Sequence, residues 1–229
     1  MKPLVIIPAR GGSTRITRKN MAKINGRPLL WYTLQNVKVA GLTDSTIVVT
    51  DDDAIEGYAM LSDVMVCREP LVVKENQMRA LHYGWKYAME HGIEADVFVC
   101  LNTTTPCFKP GLIEELVEVC RRTGGIAQDI VRSDPLAYFC QLGPDGRLTF
   151  LAENDLSQNL PPLYRMTGLF VAYPSIFDRD YTDLAAFWKW DGWRVYGVVH
   201  DDPIVDIDHE GDLRWAEFLI QSGRYPHLL

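Results

Sequence analysis

The stretch "LVIIPARGGSTRITRKN", residues 4–20, joins an apolar run to a loop that contains glycines and positive charges. Leu4–Ile7 is long enough for a buried β-strand, and Pro8 ends the run. The loop carries Gly11 and Gly12 together with four positive side chains and no acidic one. Glycine lets a backbone approach a ligand closely and turn its N–H groups towards it. The stretch therefore predicts a first strand followed by an anion-binding loop.

The distribution of charge along the chain favours a small anionic ligand. The 229 residues include 23 Lys and Arg against 30 Asp and Glu, which gives a net charge of −7. Residues 1–43 nevertheless contain eight of the basic residues, and the first acidic residue is Asp44. A negatively charged protein is poorly suited to bind nucleic acid or an anionic membrane, so we expect neither as a partner.

The side chains of the opening loop suit phosphate groups. Arg10 and Lys19 supply positive charge, and arginine can hold a phosphate with two N–H groups. Ser13 and Thr14 add hydroxyl donors. The loop matches neither the Walker A pattern GxxxxGK(S/T) nor the dinucleotide pattern GxGxxG. The residues alone therefore predict an anion-binding loop without naming the anion.

The composition predicts a globular protein with one sizeable core and a small appendage. Hydrophobic residues make up 47% of the chain, and no apolar run approaches the ~18 residues of a membrane helix. The five cysteines are widely spaced and form no CxxC pair. This spacing favours cysteines as core residues, and a cytoplasmic location, over a disulfide framework or a zinc site.

Strand and helix patterns alternate along most of the chain. Helices are predicted to begin near Pro28, Ala54, residue 76 and Pro110, with a last helix at 210–222. Such alternation is typical of an α/β fold with a mostly parallel sheet covered by helices on both faces. The predicted strands are Leu4–Ile7, Thr46–Val49, Val64–Cys67, Asp96–Leu101, Leu169–Ala172, Arg194–Val199 and Ile204–Ile207.

Residues 131–165 interrupt this alternation. Within them, "QLGPDGRLTF" predicts a β-hairpin whose turn is Pro144-Asp145-Gly146. We interpret 131–165 as an insertion that projects from the sheet, and residues 1–130 with 166–229 as the main α/β domain.

Several polar segments follow strands at what should be one edge of the sheet. Ligands of open parallel sheets bind beyond the carboxyl ends of the strands. The opening loop, Asp51–Asp53, Arg68 and Asn102–Pro106 all follow predicted strands. In the segment "NTTTP", four side chains can form hydrogen bonds with a ligand, or Thr105 caps a turn before Pro106. The sequence therefore predicts a binding site at this edge.

Asp206 and Asp208 lie two residues apart in "IVDID". On a strand this spacing places both carboxylates on one face, where they repel each other unless a cation intervenes. Mg²⁺ prefers oxygen ligands and commonly bridges to substrate phosphates. Alternatively, Asp208 caps the helix that begins near Glu210. Spacing alone leaves both possibilities open.

Five motifs together resemble the cytidylyltransferases that activate acidic sugars. They are "IIPARGGSTRITRKN", "VVTDD", "LNTTTP", "YRMTGLFVA" and "IVDIDHEGDL". The chain is most similar to the CMP-N-acylneuraminate (CMP-sialic acid) synthetases and shares "STR" and "TDD" with the CMP-Kdo synthetases. The resemblance implies a Rossmann-like fold with a protruding dimerisation element, here 131–165, and hence a homodimer. It also implies transfer of CMP from CTP to an acidic sugar, release of pyrophosphate and a requirement for Mg²⁺.

The resemblance also implies roles for individual residues. We expect Arg10, Lys19, Asp206 and Asp208 to be catalytic, and the two aspartates to bind metal. Residues expected to bind the nucleotide are Arg10, Gly11, Gly12, Ser13, Lys19, Asn20, Arg68 and Thr104, with Asn20 and Arg68 at the nucleoside. Residues expected to bind the acceptor are Asn102, Thr103 and Arg165.

The acceptor half departs from the family pattern. Asn102 stands where sialic acid synthetases usually have a glutamine, Ala137 where a lysine is expected, and Ser157 where an arginine is common. We therefore expect an acidic acceptor other than N-acetylneuraminate. Two alternatives stay open: the same fold with another nucleotide such as GTP or with a phosphonate acceptor, and a nucleotide-binding sensor without turnover.

Overall fold

The computed structural model describes residues 1–13, 15–68, 77–153, 155, 159–174, 194–203 and 205–229. For residues 77, 78 and 168–171 only the backbone is described. Thr14, Ser157 and Ile204, which were assigned roles or positions from the sequence, lie outside the described residues.

The centre of the molecule is a seven-stranded sheet with the order β11-β7-β10-β6-β1-β4-β5. Two small antiparallel pairs, β2 with β3 and β8 with β9, accompany it. The strands are β1 Leu4–Pro8, β2 Lys23–Ile24, β3 Arg27–Pro28, β4 Thr46–Thr50, β5 Met65–Arg68, β6 Val97–Leu101, β7 Ile126–Ser133, β8 Cys140–Leu142, β9 Leu148–Phe150, β10 Leu163–Pro174 and β11 Val195–Val199.

Helices cover both faces of this sheet, as predicted. The core on one face joins α1, α2 and α4 to side chains such as Val5 and Ile7 of β1. The core on the other face joins α3 to Leu4 and Ile6 of the same strand. Burial on both faces explains why β1 is an uninterrupted apolar run. The described α-helices are α1 Leu29–Val39, α2 Asp53–Met60, α3 Gln77–Glu90, α4 Gly111–Thr123 and α5 Glu210–Gln221.

The topology places a crevice beside β1. Six strands of the central sheet run in one direction, and β10 runs antiparallel between β6 and β7. The chain passes from β1 to β4 and β5 on one side and returns to β6 on the other side of β1. Such a reversal separates the loops at the carboxyl ends of the neighbouring strands. The loops after β1 and β6 therefore flank the expected ligand site.

The structure corrects three predictions about elements. Residues 126–133 form the strand β7, which the sequence patterns did not predict. The residues 205–207 of the predicted strand Ile204–Ile207 are extended but belong to no strand. The spacing of Met78, Leu81, Trp85 and Met89 predicts one buried face for the helix over 76–91. Leu81 is buried as predicted, but Met89 is 58% exposed, and Ala88 is buried in its place.

The segment that leaves the sheet is shorter than predicted. β7 ends at Ser133 and β10 begins at Leu163, so both flanks of the range 131–165 belong to the central sheet. The predicted hairpin is confirmed as β8 and β9, whose six residues are all exposed. Four cysteines are buried, but Cys140 on β8 is exposed, so the prediction of five core cysteines was wrong for that residue. No helix in the described part of the chain is both long and apolar enough to cross a membrane.

Candidate active site

The opening loop packs directly against the loop after β4. The Gly11 N–H donates to Asp51 Oδ1 at 2.7 Å. A Cβ atom on Gly11 would lie 2.6 Å from Asp52 Oδ2 and 2.7 Å from Asp52 Cβ, whereas one on Gly12 would meet nothing within 4 Å. Gly11 is therefore required by the close approach of the two loops, and Gly12 faces open space.

Asp52 organises both the start of α2 and the end of the opening loop. Its carboxylate accepts the N–H groups of Ala54 at 2.9 Å and Ile55 at 3.0 Å, which caps the helix. The Arg18 guanidinium donates to both carboxylate oxygens, at 3.0 and 3.1 Å. Burial raises the pKa of Asp52, but these N–H groups and Arg18 outweigh it and hold the pKa below its ordinary value.

Asn20 and Thr103 join the loops after β1 and β6. The Asn20 amide donates to the Arg10 carbonyl at 2.7 Å, and the Thr103 hydroxyl donates to Asn20 Oδ1. Asn20 is 8% exposed and Thr103 2% exposed. Thr103 is therefore buried and bonded to Asn20, and its contact with the acceptor stays a prediction. Through these bonds, Asn20 and Thr103 act as a brace that holds the backbone of the opening loop against the loop after β6.

Lys19 and Arg15 pair with one of the two predicted metal ligands. Lys19 Nζ donates to Asp208 Oδ1 at 2.8 Å and to the Ile207 carbonyl at 2.5 Å. The Arg15 guanidinium contacts the other oxygen of Asp208. The hydrogen bond from Lys19, followed by the charges of Lys19 and Arg15, holds the pKa of Asp208 below its ordinary value. The structure thus brings together two ends of the chain that are 189 residues apart.

Residues 205–208, before α5, are held against the loop after β6. Val205 and Ile207 are buried, at 3% and 0% exposure, while Asp206 is exposed and Asp208 partly exposed. The Ile207 N–H donates to the Thr104 carbonyl at 2.8 Å, which fixes the segment beside "NTTTP". This alternation keeps both aspartates on one side although the segment is not a strand.

The helix-cap interpretation of Asp208 is wrong. The N-cap of α5 is His209, and Asp212 accepts the backbone N–H groups of Asp208 at 2.9 Å and His209 at 2.8 Å. The Asp208 carboxylate points instead to Lys19 and Arg15. With the cap supplied by other residues, its carboxylate stays available for exchange with a ligand.

The donor set at Asp206 and Asp208 fits Mg²⁺ only together with substrate oxygens. Among the described residues, no group of three or more His, Cys, Asp or Glu side chains could hold a metal ion. Mg²⁺ commonly takes one or two carboxylates and completes its coordination with waters and phosphates. A pair of carboxylates next to a phosphate-binding loop matches that pattern.

Arg10 and Arg68 each follow or end a strand at the sheet edge that carries the opening loop. Arg10 is exposed at the start of the loop, and Ser13 follows it partly exposed. Arg68, at the carboxyl end of β5, donates to Asp53 and Glu56 of α2, each at 2.7 Å. Arg68 is thus paired with α2 in the structure, and its contact with a nucleoside remains a prediction.

A cavity of about 620 Å³ lies farther along the same edge of the sheet. It opens at the carboxyl ends of β7 and β11 and at the start of β10. Arg165, the expected acceptor residue, lines it on the β10 side. Its volume is within the range of small-molecule sites. The other lining residues are Val131, Arg132, Val199, His200, Asp201 and Asp202.

Next to this cavity lies a buried polar cluster that the sequence analysis missed. Asp129 of β7 has no exposed surface, and it accepts hydrogen bonds from Thr167 and from Gln128 Nε2, the latter at 2.6 Å. His200 Nε2 lies 3.4 Å from Asp129 Oδ2. The signal available in the sequence was "AQDIV", an acid within an otherwise apolar run.

Comparison with known proteins gives the family. A profile described as cytidylyltransferase matches residues 4–127, more than half of the chain. The chain belongs to the cytidylyltransferase family. The matched region contains the opening loop, Asp51–Asp53 and "NTTTP".

Curated relatives of this cytidylyltransferase are named for acidic sugars. Pseudaminic acid cytidylyltransferase of Campylobacter jejuni subsp. jejuni serotype O:23/36 is 30% identical over 126 residues, which is 52% of this chain and 53% of the relative. A 3-deoxy-manno-octulosonate cytidylyltransferase of Methylobacterium nodulans is 26% identical over 97% of this chain and 98% of its own. The match to the Campylobacter relative thus spans about half of that protein.

Solved structures share the fold across nearly the whole chain. CMP:2-keto-3-deoxy-manno-octonic acid synthetase in complex with CTP superposes with a TM-score of 0.68 at 18% identity, covering 97% of this chain and 99% of that one. The 4-diphosphocytidyl-2C-methyl-D-erythritol synthase of Anaerococcus prevotii gives 0.64 at 17% identity, covering 96% and 99%. At these identities the likeness shows the fold alone, and it confirms the predicted fold class.

Proposed function

We propose that this cytidylyltransferase transfers CMP from CTP to an acidic sugar and releases pyrophosphate. The observation that carries the proposal is the meeting of Lys19 and Arg15 of the opening loop with Asp208 beside β1. This arrangement combines phosphate-binding cations with a carboxylate that suits a divalent cation. Membership of the cytidylyltransferase family supports CTP as the nucleotide.

The proposed reaction needs positioning and neutralisation of charge more than covalent help from the protein. Arg10, Lys19 and the N–H groups near Gly12 hold the triphosphate at the opening loop. The anomeric hydroxyl of the acceptor attacks the α-phosphorus, and the bond to the β-phosphate oxygen breaks so that pyrophosphate leaves. Asp206 and Asp208 would hold Mg²⁺, which when bound neutralises phosphate charge.

The cavity beside β10 is the best candidate for the acceptor site. Arg132 and Arg165 line it, and an arginine–carboxylate pair is among the strongest polar contacts available to recognise a sugar acid. The strands that line the cavity, β10, β7 and β11, lie two, three and four strands from β1 in the sheet, a separation of roughly 10–20 Å at the usual strand spacing. An acceptor in the cavity can therefore extend towards the α-phosphate of a nucleotide at the opening loop.

We keep the prediction that N-acetylneuraminate is not the natural acceptor. Ala137 is 3% exposed and offers no charge where the sialic acid synthetases have a lysine. Losing one hydrogen bond to a charged group costs about 1.5–3 kcal/mol. Relatives named for pseudaminic acid and for 3-deoxy-manno-octulosonate make acids of those kinds the first acceptors to test.

We also propose that the protein forms a homodimer through the segment between β7 and β10. The exposed hairpin β8–β9 carries apolar side chains, and a lone two-stranded hairpin is marginally stable in water. A partner surface would bury these side chains. A cytoplasmic location stays a prediction from the cysteine content.

The direct test is a panel of sugar acids with CTP and Mg²⁺ in which pyrophosphate release is measured. We expect turnover with one acidic acceptor and none with its neutral alcohol analogue. Arg165→Ala should raise KM for the acceptor at least tenfold, whereas Arg122→Ala, on the exposed surface of α4, should not. CTP binding without turnover on any sugar acid would favour a nucleotide sensor. Turnover with GTP and none with CTP would show that GTP is the nucleotide substrate.

A further inference from the structure

In the structure, the two basic side chains proposed to bind phosphate pair with the carboxylate proposed to bind the metal. Lys19 Nζ lies 2.8 Å from Asp208 Oδ1, and Arg15 contacts Oδ2 of the same carboxylate. The side chains of Lys19, Asp208 and Arg15 are 12%, 35% and 56% exposed. Both oxygens of Asp208 therefore have a cationic partner within the protein.

Both proposed ligands need these same groups. A triphosphate needs the charges of Lys19 and Arg15, and a divalent cation needs the Asp208 carboxylate. While the pairs persist, each ligand must displace a partner from the groups that it needs. Apparent affinity is reduced by the fraction of protein in which the binding groups are engaged elsewhere.

We propose that Asp208 is a switch residue that couples nucleotide binding to cation binding by exchanging partners. The triphosphate takes Lys19 and Arg15, which frees Asp208 for the cation, and the cation in turn frees the two basic side chains. Each ligand therefore strengthens the binding of the other, since such coupling is reciprocal. This inference rests on the function proposed for the same site.

The exchange requires only side-chain movement. Lys19 has a second bond, to the Ile207 carbonyl at 2.5 Å, which it can keep while it changes its anionic partner. Ile207 is itself fixed by its N–H bond to the Thr104 carbonyl at 2.8 Å. The backbone on both sides of the pair is thus held in place, so the exchange is a local event within an ordered site.

Asp206 supplies a matched control. It lies two residues from Asp208 on the same side of the segment, and it takes no part in the described pairs with Lys19 and Arg15. Removing either carboxylate reduces repulsion of a triphosphate by one charge. Only removal of Asp208 also releases the two cations.

The experiment measures CTP affinity by calorimetry in EDTA, so that no divalent cation takes part. We expect Asp208→Asn to bind CTP at least threefold more tightly than the wild type, and Asp208→Ser to do the same. Asp206→Asn should change the affinity less than twofold. In protein that carries Lys19→Met and Arg15→Met, Asp208→Asn should also change the affinity less than twofold.

The results separate this inference from the proposed function. Equal gains for Asp206→Asn and Asp208→Asn, or a gain that survives in the Lys19→Met, Arg15→Met background, would reduce the effect to general repulsion and overturn the switch. Unchanged or weaker binding by both Asp208 variants would also overturn it, with the CTP site intact. Failure of the wild type to bind CTP, with or without Mg²⁺, would overturn the proposed function and the switch together.

Discussion

At the scale of single residues, the two adjacent glycines of the opening loop differ in what they tolerate. Gly11→Ala would place a Cβ atom 2.6 Å from Asp52 Oδ2, and Gly12→Ala would meet nothing within 4 Å. Separation of the loops after β1 and β4 would relieve the clash but would break the Gly11–Asp51 bond. We expect Gly11→Ala to lower the melting temperature and to weaken CTP binding at least tenfold.

Gly12→Ala is the matched control for that experiment. It should leave the melting temperature within a degree or two of the wild type, since no atom must move. Thermal unfolding and calorimetric titration of both variants with CTP provide the comparison. Similar behaviour of the two variants would mean that the close approach to Asp52 does not shape the site.

Arg10 and Lys19 should be required for use of CTP. Each supplies positive charge at a loop without acidic residues, so we expect Arg10→Ala and Lys19→Ala each to lower kcat/KM for CTP at least tenfold, about 1.4 kcal/mol of transition-state stabilisation. Lys38→Ala, on the exposed part of α1, should have little effect. Wild-type kinetics in both loop variants would show that the triphosphate binds elsewhere.

Residue types in the site were predictable, but their partners were not. The glycines, Lys19 and the pair Asp206 and Asp208 stand out in the sequence by composition and spacing. That Lys19 pairs with Asp208 depends on a contact between residues 189 apart, which no local pattern encodes. Thr103 was assigned to the acceptor from the family resemblance, and only the structure shows that it is buried and bonded to Asn20.

At the scale of elements, the loops after β1 and β6 should act as one unit through the Thr103–Asn20 bond. Thr103→Val keeps the shape of the side chain but leaves Asn20 Oδ1 without its donor, a cost of about 1–3 kcal/mol for a buried polar group. We expect a lower melting temperature and a raised KM for CTP. Thr103→Ser retains the hydroxyl and should restore most of both.

An outcome in which Thr103→Val keeps the wild-type KM for CTP would contradict the role of this brace in shaping the loop. If instead the KM for the acceptor alone rises, Thr103 contacts the acceptor after all. Steady-state kinetics with each substrate varied in turn distinguish these results.

The central strands were predictable because each is buried on both faces. Apolar runs such as Leu4–Ile7 and Thr46–Val49 are enough to predict buried strands from the sequence. β7 was missed because Gln128 and Asp129 interrupt its apolar pattern. Gln128 donates to Asp129, and Asp129 has further partners in Thr167 on β10 and His200 after β11, which the sequence does not reveal. Residues 205–207 alternate between buried and exposed like a strand, but within the described part of the chain no strand pairs with them.

At the scale of the whole molecule, the exposed hairpin predicts self-association. Leu142 is 72% exposed and Phe150 is 60% exposed, and both lie outside the main core. We expect light scattering at micromolar concentration to give twice the monomer mass of 26.0 kDa. Leu142→Ser with Phe150→Ser should shift the protein towards the monomer.

Leu61→Ser is the control, because Leu61 is 86% exposed at the end of α2. α2 leads to β5 at one edge of the central sheet, whereas the hairpin follows β7 near the other edge. It should leave the mass of the assembly unchanged. A wild-type protein that is monomeric at these concentrations would contradict the prediction. A dimer that survives the hairpin substitutions would place the interface elsewhere.

The central claim, transfer of CMP from CTP to an acidic sugar, is tested most directly by following the α-phosphate. The protein is incubated with Mg²⁺, a sugar acid and CTP labelled at the α-phosphorus, and the products are separated by chromatography. We predict that the label moves into a CMP-sugar that forms only with the acceptor, while unlabelled pyrophosphate appears in equal amount. Label that stays in CTP with every sugar acid tested, or that appears in CDP or in CMP without acceptor, would contradict the claim.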